Sequence, residues 1–311
     1  IGLSASISSS NTEYNYGLLD KGVFKLFIDK SDAKLKFSLE QNTSKAWSLS
    51  FNSSKDSMLS FTSYNGHLYA GQGTALGDGK LFVCSPALNT TGSPTICNPD
   101  EWSLSWDGGG RYSVPSLSVY YGRLYAGRGR STGDPDVFIC NPSSNTTAST
   151  NICDPDEWSL NFNQGGSKDI VTTLAVYNGY LYGGSYGAFD SGDVFGCTPN
   201  SAVANNLCGD SLEWSGIVYN GYNVGILSLV VYNGYLYAGE NGNGDVSDLT
   251  NLAVCNPVLT GATDFCNLGD WSNYSIGSAN PQVNALAVYN GRLYAGLGTT
   301  TGTGDIFVCN P

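Results

Sequence analysis

The feature that most constrains this chain is an eight-residue hairpin signal that recurs five times. It stands at 64–71 (YNGHLYAG), 120–127 (YYGRLYAG), 177–184 (YNGYLYGG), 232–239 (YNGYLYAG) and 289–296 (YNGRLYAG). The shared leucines Leu68, Leu124, Leu181, Leu236 and Leu293 lie 55 to 57 residues apart. A sequence that repeats itself at this spacing folds as one supersecondary unit copied along the chain, and a single copy cannot bury its own apolar face. In four copies Asn-Gly supplies the two positive φ angles of a two-residue type I′ turn. In the second copy Tyr121 takes the place of the Asn. A bulky residue resists positive φ, so this hairpin is expected to be distorted or of another type.

Each unit reads as four strands, labelled a to d. An alternating run such as 285–289 (ALAVY) is strand a, and the Leu-Tyr-Ala-Gly run is strand b. A loop rich in Gly, Thr and Asp leads to strand c, at 80–83, 136–139, 193–196, 252–254 and 305–308. A longer loop leads to strand d, marked by Trp47, Trp102, Trp158, Trp214 and Trp271. Repeated four-stranded sheets of this length predict an all-β chain, a five-bladed β-propeller of four-stranded antiparallel blades. Composition agrees: 40 glycines and only 13% charged residues suit many short strands joined by tight turns.

Through the Leu-Tyr-Ala-Gly strand and the recurring Trp, residues 40–311 resemble Kelch-type and tachylectin-like propellers. Only Gly183-Gly184 reproduces the Kelch double glycine, and the cysteine-bearing insertion is foreign to that pattern. The resemblance therefore implies an architecture and no Kelch activity.

The register of the units bears on ring closure. The sequence stops at Cys309-Asn310-Pro311, just after strand c of the fifth unit, whereas the first Trp stretch, 45–51 (KAWSLSF), precedes the first hairpin. Residues 45–51 match 101–106 (EWSLSW) and are expected to supply the missing strand, so that an N-terminal strand closes the last blade. Two routes stand open: closure within one chain, or donation of the strand by a neighbouring subunit.

Nine cysteines follow the same period. Cys84 with Cys97, Cys140 with Cys153, Cys197 with Cys208 and Cys255 with Cys266 fall between strands c and d of successive units, and are expected to form four local disulfides. Zinc is the competing reading, a weak one, because the spacing is long and His67 is the only histidine. Disulfides imply an oxidising, extracellular location, and the start at Ile1 fits a processed, secreted form. Cys309 stands at the first-cysteine position of the fifth unit, and its counterpart position, five residues before Trp47, is Asn42. It is expected to be free, bonded to another chain, or left single by where the sequence stops. Acceptor sites for N-glycosylation at Asn42, Asn52, Asn89, Asn145 and Asn273 agree with secretion. Asn89 and Asn145 are the stronger ones, being in the disulfide loops.

The net charge of −12 argues against a nucleic-acid partner or an anionic membrane surface, both of which need clustered Lys and Arg. No apolar run is long enough for a spanning helix. Ligands of propellers gather on the loops opposite the Asn-Gly turns, where these repeats diverge. The candidates between blades are Arg111, Tyr112, Lys168, Asp169, Tyr222, Asn223, Gln282 and Asn284. Tyr186 is the candidate from the b–c loops, which also include Arg128, Arg130, Asp134, Asp190, Glu240 and Asp245. Aromatic, amide and carboxylate groups of this kind can hold a sugar by stacking and paired hydrogen bonds.

No nucleophile elbow, metal-binding His pair or phosphate loop is present, and His67 reads as an exposed turn residue. A glycosidase or lyase propeller would need only two placed carboxylates, but the expectation is a non-catalytic protein with no cofactor. The stretch 154–157 (DPDE), echoed by 98–101 (NPDE), fits structural calcium less well than it fits a Pro-fixed turn into strand d. Residues 1–39 form a separate N-terminal β arm with alternating stretches at 1–7, 22–29 and 33–39. A lone hairpin with an apolar face is marginal in water, so the arm packs either on its own propeller or on another subunit. The composite expectation is a secreted structural or adhesive surface protein, of the kind that forms filaments or surface layers, self-associating through its N-terminal strand arm. The alternative is a carbohydrate-binding propeller with its site on the divergent loops.

Overall fold

The computed structural model describes residues 14–19, 22–29, 34–40, 49–53, 57–73, 78–85, 97–110, 112–129, 135–142, 152–163, 168–187, 192–199, 208–209, 211–221, 225–241, 251–257, 264–276, 282–298 and 304–309. The chain divides into two compact units, Ile1–Leu49 and Ser50–Pro311.

The first unit is a three-stranded antiparallel meander of β1 (Tyr14–Leu19), β2 (Gly22–Asp29) and β3 (Lys34–Glu40). β2 is central, with Tyr14 opposite Leu26 and Val23 opposite Glu40. The expected strands at 22–29 and 33–39 are present within a residue. The stretch 1–7 lies outside the described residues, and the strand that pairs with β2 is 14–19, which the alternating pattern did not single out.

The second unit holds the repeats. Strands a are β4 (Met58–Tyr64), β8 (Ser113–Tyr120), β12 (Lys168–Tyr177), β16 (Gly225–Tyr232) and β20 (Gln282–Tyr289). Strands b are β5 (His67–Gln72), β9 (Arg123–Gly129), β13 (Tyr180–Gly187), β17 (Tyr235–Asn241) and β21 (Arg292–Gly298). Strands c are β6 (Asp78–Cys84), β10 (Asp136–Cys140), β14 (Asp193–Cys197), β18 (Leu252–Cys255) and β22 (Asp305–Val308). Strands d are β7 (Trp102–Gly110), β11 (Trp158–Asn163), β15 (Trp214–Asn220) and β19 (Trp271–Tyr274), each opening on its Trp. Within each repeat the strands pair antiparallel in the order a, b, c, d, the arrangement of β-propeller blades. Single bridges, Ile170 with Gly129 and Tyr186 with Gly225, join the second, third and fourth repeats into one twelve-stranded sheet. The fifth repeat is three-stranded among the described residues, in the order β20-β21-β22.

The hairpins are uniform. Asn65, Asn178, Asn233 and Asn290 have φ of 48 to 49°, and each is followed by a Gly at positive φ. Tyr121 corrects the expectation of a different turn: its φ is 44°, and Tyr120 still pairs with Arg123 as Tyr64 pairs with His67. Its ring lies edge-on against that of Tyr120, 4.6 Å between centroids, and this contact accompanies a backbone angle that Tyr dislikes.

Successive repeats are tied at three levels. The first hairpin Tyr of each repeat donates its hydroxyl to the turn Gly of the next: Tyr64 to Gly122 at 3.0 Å, Tyr120 to Gly179 at 2.7 Å, Tyr177 to Gly234 at 2.7 Å and Tyr232 to Gly291 at 3.1 Å. The Gly that ends Leu-Tyr-Ala-Gly is where strand a of the next repeat packs. A Cβ on Gly127 would stand 2.2 Å from Ser116 Oγ and 2.7 Å from Val171 Cγ1. Apolar clusters fill the junctions: Tyr69, Leu81 and Val83 meet Cys153 and Trp158, Tyr125 and Ile139 meet Cys208 and Trp214, and Tyr182 meets Phe265, Cys266 and Trp271.

All four expected disulfides are present, Cys84–Cys97, Cys140–Cys153, Cys197–Cys208 and Cys255–Cys266. The acidic stretch before strand d is a tight turn, of 3-10 form at Pro99–Glu101 and Leu268–Asp270, whose carboxylate turns back on its own backbone. The amides of Asn98, Asp154 and Asn267 donate to Glu101 (2.6 Å), Glu157 (2.8 Å) and Asp270 (2.8 Å). These three acids serve the turn that launches each Trp strand. Among the described residues no cluster of three or more His, Cys, Asp or Glu could hold a metal ion. No helix among them is long and apolar enough to cross a membrane.

Candidate functional site

Among the described residues, some side chains at the loops expected to carry a ligand face inward. Arg128, near the end of β9, is one of the b–c residues considered for holding a sugar. Its guanidinium instead lies 4.1 Å from the Tyr112 ring centroid and 4.5 Å from that of Phe138, and forms a salt bridge with Asp136. Nη1 donates to Gly108 O at 2.8 Å. This pins the b and c strands of the second repeat, and Tyr112 stacks on the cation as part of the same assembly. Glu240, at the matching place in the fourth repeat, is buried, with Oε1 in hydrogen-bond contact with the Tyr219 hydroxyl. That hydroxyl also lies 2.9 Å from Asn273 Oδ1, and its one proton serves one acceptor at a time. Ser185 of the third repeat bonds Asp193 in the equivalent position. Polar residues at this place tie strand b to its surroundings, Ser185 within its own repeat, Arg128 both within its own and to Gly108 of the repeat before, and Glu240 to Tyr219 of the repeat before, a role that local sequence does not reveal.

The remaining candidates divide. Tyr186 packs its ring on Gly225, where a Cβ would stand 2.2 Å from Tyr186 Cδ2, so it belongs to the contact between repeats. Asp169 and Gln282 are half-buried and Asn284 is exposed, its amide 3.5 Å from Gly298 O. Arg111, Tyr222, Asn223, Arg130, Asp134, Asp190 and Asp245 lie outside the described residues, as does the side chain of Lys168. Asn42, Asn89 and Asn145 are likewise outside them. Asn52 and Asn273 are both exposed. His67 corrects the expectation of an exposed turn residue: it is half-buried, with Nδ1 3.1 Å from Ser85 Oγ.

The feature that departs most from the repeat is the fifth unit. Tyr289 is 66% exposed, whereas its counterpart Tyr120 is 3% exposed. Gly296 meets nothing closer than 3.8 Å, where Gly127 is crowded at 2.2 Å. On β22, Ile306 is 80% exposed, and Phe307 and Val308 are exposed too. Cys309 is free and exposed, although its amide donates to Leu293 O at 2.8 Å, the position a bonded first cysteine holds in the other repeats. Between the fourth and fifth repeats lies a cavity of about 610 Å³, lined by Tyr237, Leu252, Val254, Phe307, Val308 and Cys309 among others. Burial pushes the Tyr237 hydroxyl above its ordinary pKa.

At the other end of the array, Ser50 and Phe51 behave as the end of a d strand. Ser50 Oγ donates to Cys97 O at 2.5 Å and accepts from Trp102 Nε1 at 3.1 Å, and Phe51 stacks on Trp102 at 5.3 Å. In the next junction Ser105 bonds Cys153 O at 2.6 Å and accepts from Trp158 Nε1 at 3.3 Å, while Trp106 stacks on Trp158 at 5.6 Å. Residues 50–51 therefore stand to the first repeat as strand d of the first repeat stands to the second. Residues 45–48 of the expected closing strand lie outside the described residues.

No protein-family model matches the chain, and no curated protein sequence matches it. Among solved structures it is similar to a chain in the crystal structure of a mitotic checkpoint complex, at 14% identity, over 83% of this chain and 67% of that one, with a TM-score of 0.45.

Proposed function

We propose that this protein is a secreted, non-catalytic structural component of a surface assembly, built on a five-bladed propeller and self-associating through its N-terminal strands. The observation that carries this reading is the uncovered fifth repeat. It combines strand β22, which pairs only with β21 among the described residues and bears exposed Ile306, Phe307 and Val308, with the uncovered Tyr289 and Gly296. A free strand edge with apolar side chains is a template for another chain, and soluble proteins that remain single hide or charge such edges. The arm offers further edges: β1 and β3 each have one strand partner among the described residues. Four disulfides suit an oxidising exterior, where chaperoned refolding is absent and a stapled unit lasts.

In this reading the open edge of the fifth repeat in one copy takes the N-terminal strand of the next, so the contact joins complementary ends of the same array. A head-to-tail contact that does not close on itself propagates into a fibre. The test compares the chain with a variant lacking residues 1–39 by light scattering under non-reducing conditions. The reading expects oligomers of the chain and monomers of the variant. Monomers of both would refute it.

A further inference from the structure

Four of the five hairpins carry Asn-Gly at their tips, and the tips are alike. Asn65, Asn178, Asn233 and Asn290 have φ of 48 to 49°, and each Asn and the Gly after it is exposed. The flanking residues close each turn, as Tyr64 does with His67 and Tyr177 with Tyr180, so the Gly amide between them takes no part in the strand ladder. A Cβ built on Gly66, Gly179, Gly234 or Gly291 would meet no atom within 4 Å. Each tip thus sets an exposed carboxamide beside the amide nitrogen of an uncrowded Gly, and water reaches both. Asn is among the thermolabile side chains.

One of these tips is also a joint. In the third repeat, Gly179 O accepts the Tyr120 hydroxyl of the second repeat at 2.7 Å. On its other side, Asn178 Nδ2 donates to Asp264 O of the fourth repeat at 3.1 Å. Asp264 is fixed by the two residues that follow it: Phe265 lies edge-on to Tyr180 at 5.1 Å, and Cys266 is bonded to Cys255. Residues 178–179 therefore bond to the repeats on both sides, and the carboxamide nitrogen supplies one of the two bonds.

We infer that the Asn-Gly tips are sites of spontaneous modification through a cyclic imide, and that at Asn178 this modification loosens the third repeat from its neighbours. The Gly179 amide nitrogen gives up its proton and attacks Asn178 Cγ. The new N–C bond forms as the Cγ–Nδ2 bond breaks, and the departing nitrogen takes up the proton and leaves as ammonia. Water then opens the ring at either carbonyl. Opening at Cγ gives Asp, and opening at the main-chain carbonyl gives isoaspartate, whose backbone is longer by a methylene. Neither product keeps the N–H that bonds Asp264 O, and Asp turns a carboxylate toward that carbonyl. The longer isoaspartate backbone also shifts the Gly179 carbonyl away from the Tyr120 hydroxyl. The bond to Asp264 must break before ammonia leaves, which slows Asn178 by about fivefold, the rate equivalent of one ordinary hydrogen bond. The second hairpin has Tyr121 in place of Asn and escapes the reaction. The inference rests on the hairpins and is independent of self-association through residues 1–39.

The test incubates the full, disulfide-bonded chain at mildly alkaline pH beside a reduced and denatured sample. Peptide mass spectrometry after chromatographic separation resolves Asn, Asp and isoaspartate at each tip. The expected result is conversion at Asn65, Asn178, Asn233 and Asn290 in the folded chain, with Asn178 about fivefold slower there than in the denatured sample. The Asn178→Asp protein should melt at a lower temperature than the parent chain, by at least the loss seen for Tyr120→Phe. Unchanged tips in the folded chain beside conversion in the denatured one would overturn the proposal. Conversion of Asn178 at one rate in both samples would show that its carboxamide is not held. An unchanged midpoint for Asn178→Asp would show that the joint does not depend on it. Either result overturns the role given to Asn178.

Discussion

The Tyr120 hydroxyl donates to the Gly179 carbonyl at 2.7 Å, joining the hairpin of the second repeat to that of the third. The same bond recurs at Tyr64, Tyr177 and Tyr232. The repeated turn is thus both a local device, giving a two-residue reversal, and a long-range one, since its Gly carbonyl receives the tyrosine of the repeat before it. At Tyr289 the series stops, and the side chain is left in solvent.

Tyr120→Phe removes that hydrogen bond and keeps the ring. It should cost about 1 kcal/mol in denaturant unfolding, the ordinary net worth of one intramolecular bond. Tyr289→Phe should leave the midpoint unchanged. A loss at Tyr289 equal to that at Tyr120 would mean that the fifth repeat is covered in solution by the first.

Gly127→Ala and Gly296→Ala form a sharper pair. The first forces a methyl group against Ser116 Oγ and the Val171 side chain. Overpacking of this kind costs about 1–3 kcal/mol. At Gly296 the nearest atoms are 3.8 Å away, ordinary contact, so the change should fall within about 0.5 kcal/mol. Thermal unfolding of the two variants reads the difference.

Removing one staple should be felt globally. The double variant Cys140→Ser, Cys153→Ser opens a loop of sequence separation 13 and should lose about 2–4 kcal/mol by relaxing the unfolded chain. Because Cys153 also seats against Tyr69, the loss should exceed that of Tyr69→Phe alone. Urea unfolding of the two variants under non-reducing conditions makes the comparison, and an equal loss would show that the staple itself adds nothing.

Stability should fall in alkali. Burial raises the pKa of Tyr69, Tyr120, Tyr125 and Tyr182 above the ordinary 10.0. A phenol that ionises more easily in the unfolded chain stabilises the fold fully below pH 10.0, and this contribution is lost as pH climbs above that value toward the folded pKa. Thermal midpoints should be flat from neutral pH to just below this value and drop beyond it. Tyrosinate absorbance should rise together with unfolding rather than ahead of it for these four residues.

Much of the architecture was legible because it rests on local rules. Asn-Gly announces the reversal, the apolar alternation marks strands a and b, and Trp102, Trp158, Trp214 and Trp271 each mark the first residue of a strand d. The cysteine period announced the disulfides because both partners are close in sequence. What the sequence concealed depends on direction and on distant neighbours. Arg128 and Glu240 sit among loop-like residues, yet their side chains turn inward because strand b continues past Ala-Gly and alternates once more. Tyr121 accepts positive φ where an aromatic neighbour, not its own preference, is at hand. Strand 14–19 has too few apolar residues in alternation to stand out, and is a strand because β2 offers it an edge.

Self-association is measured most directly by sedimentation of the full chain under non-reducing conditions across a range of concentrations. The account predicts species heavier than the 32.8 kDa monomer that grow with concentration, and a return to the monomer mass when residues 1–39 are removed. A single species of 32.8 kDa at every concentration would contradict it.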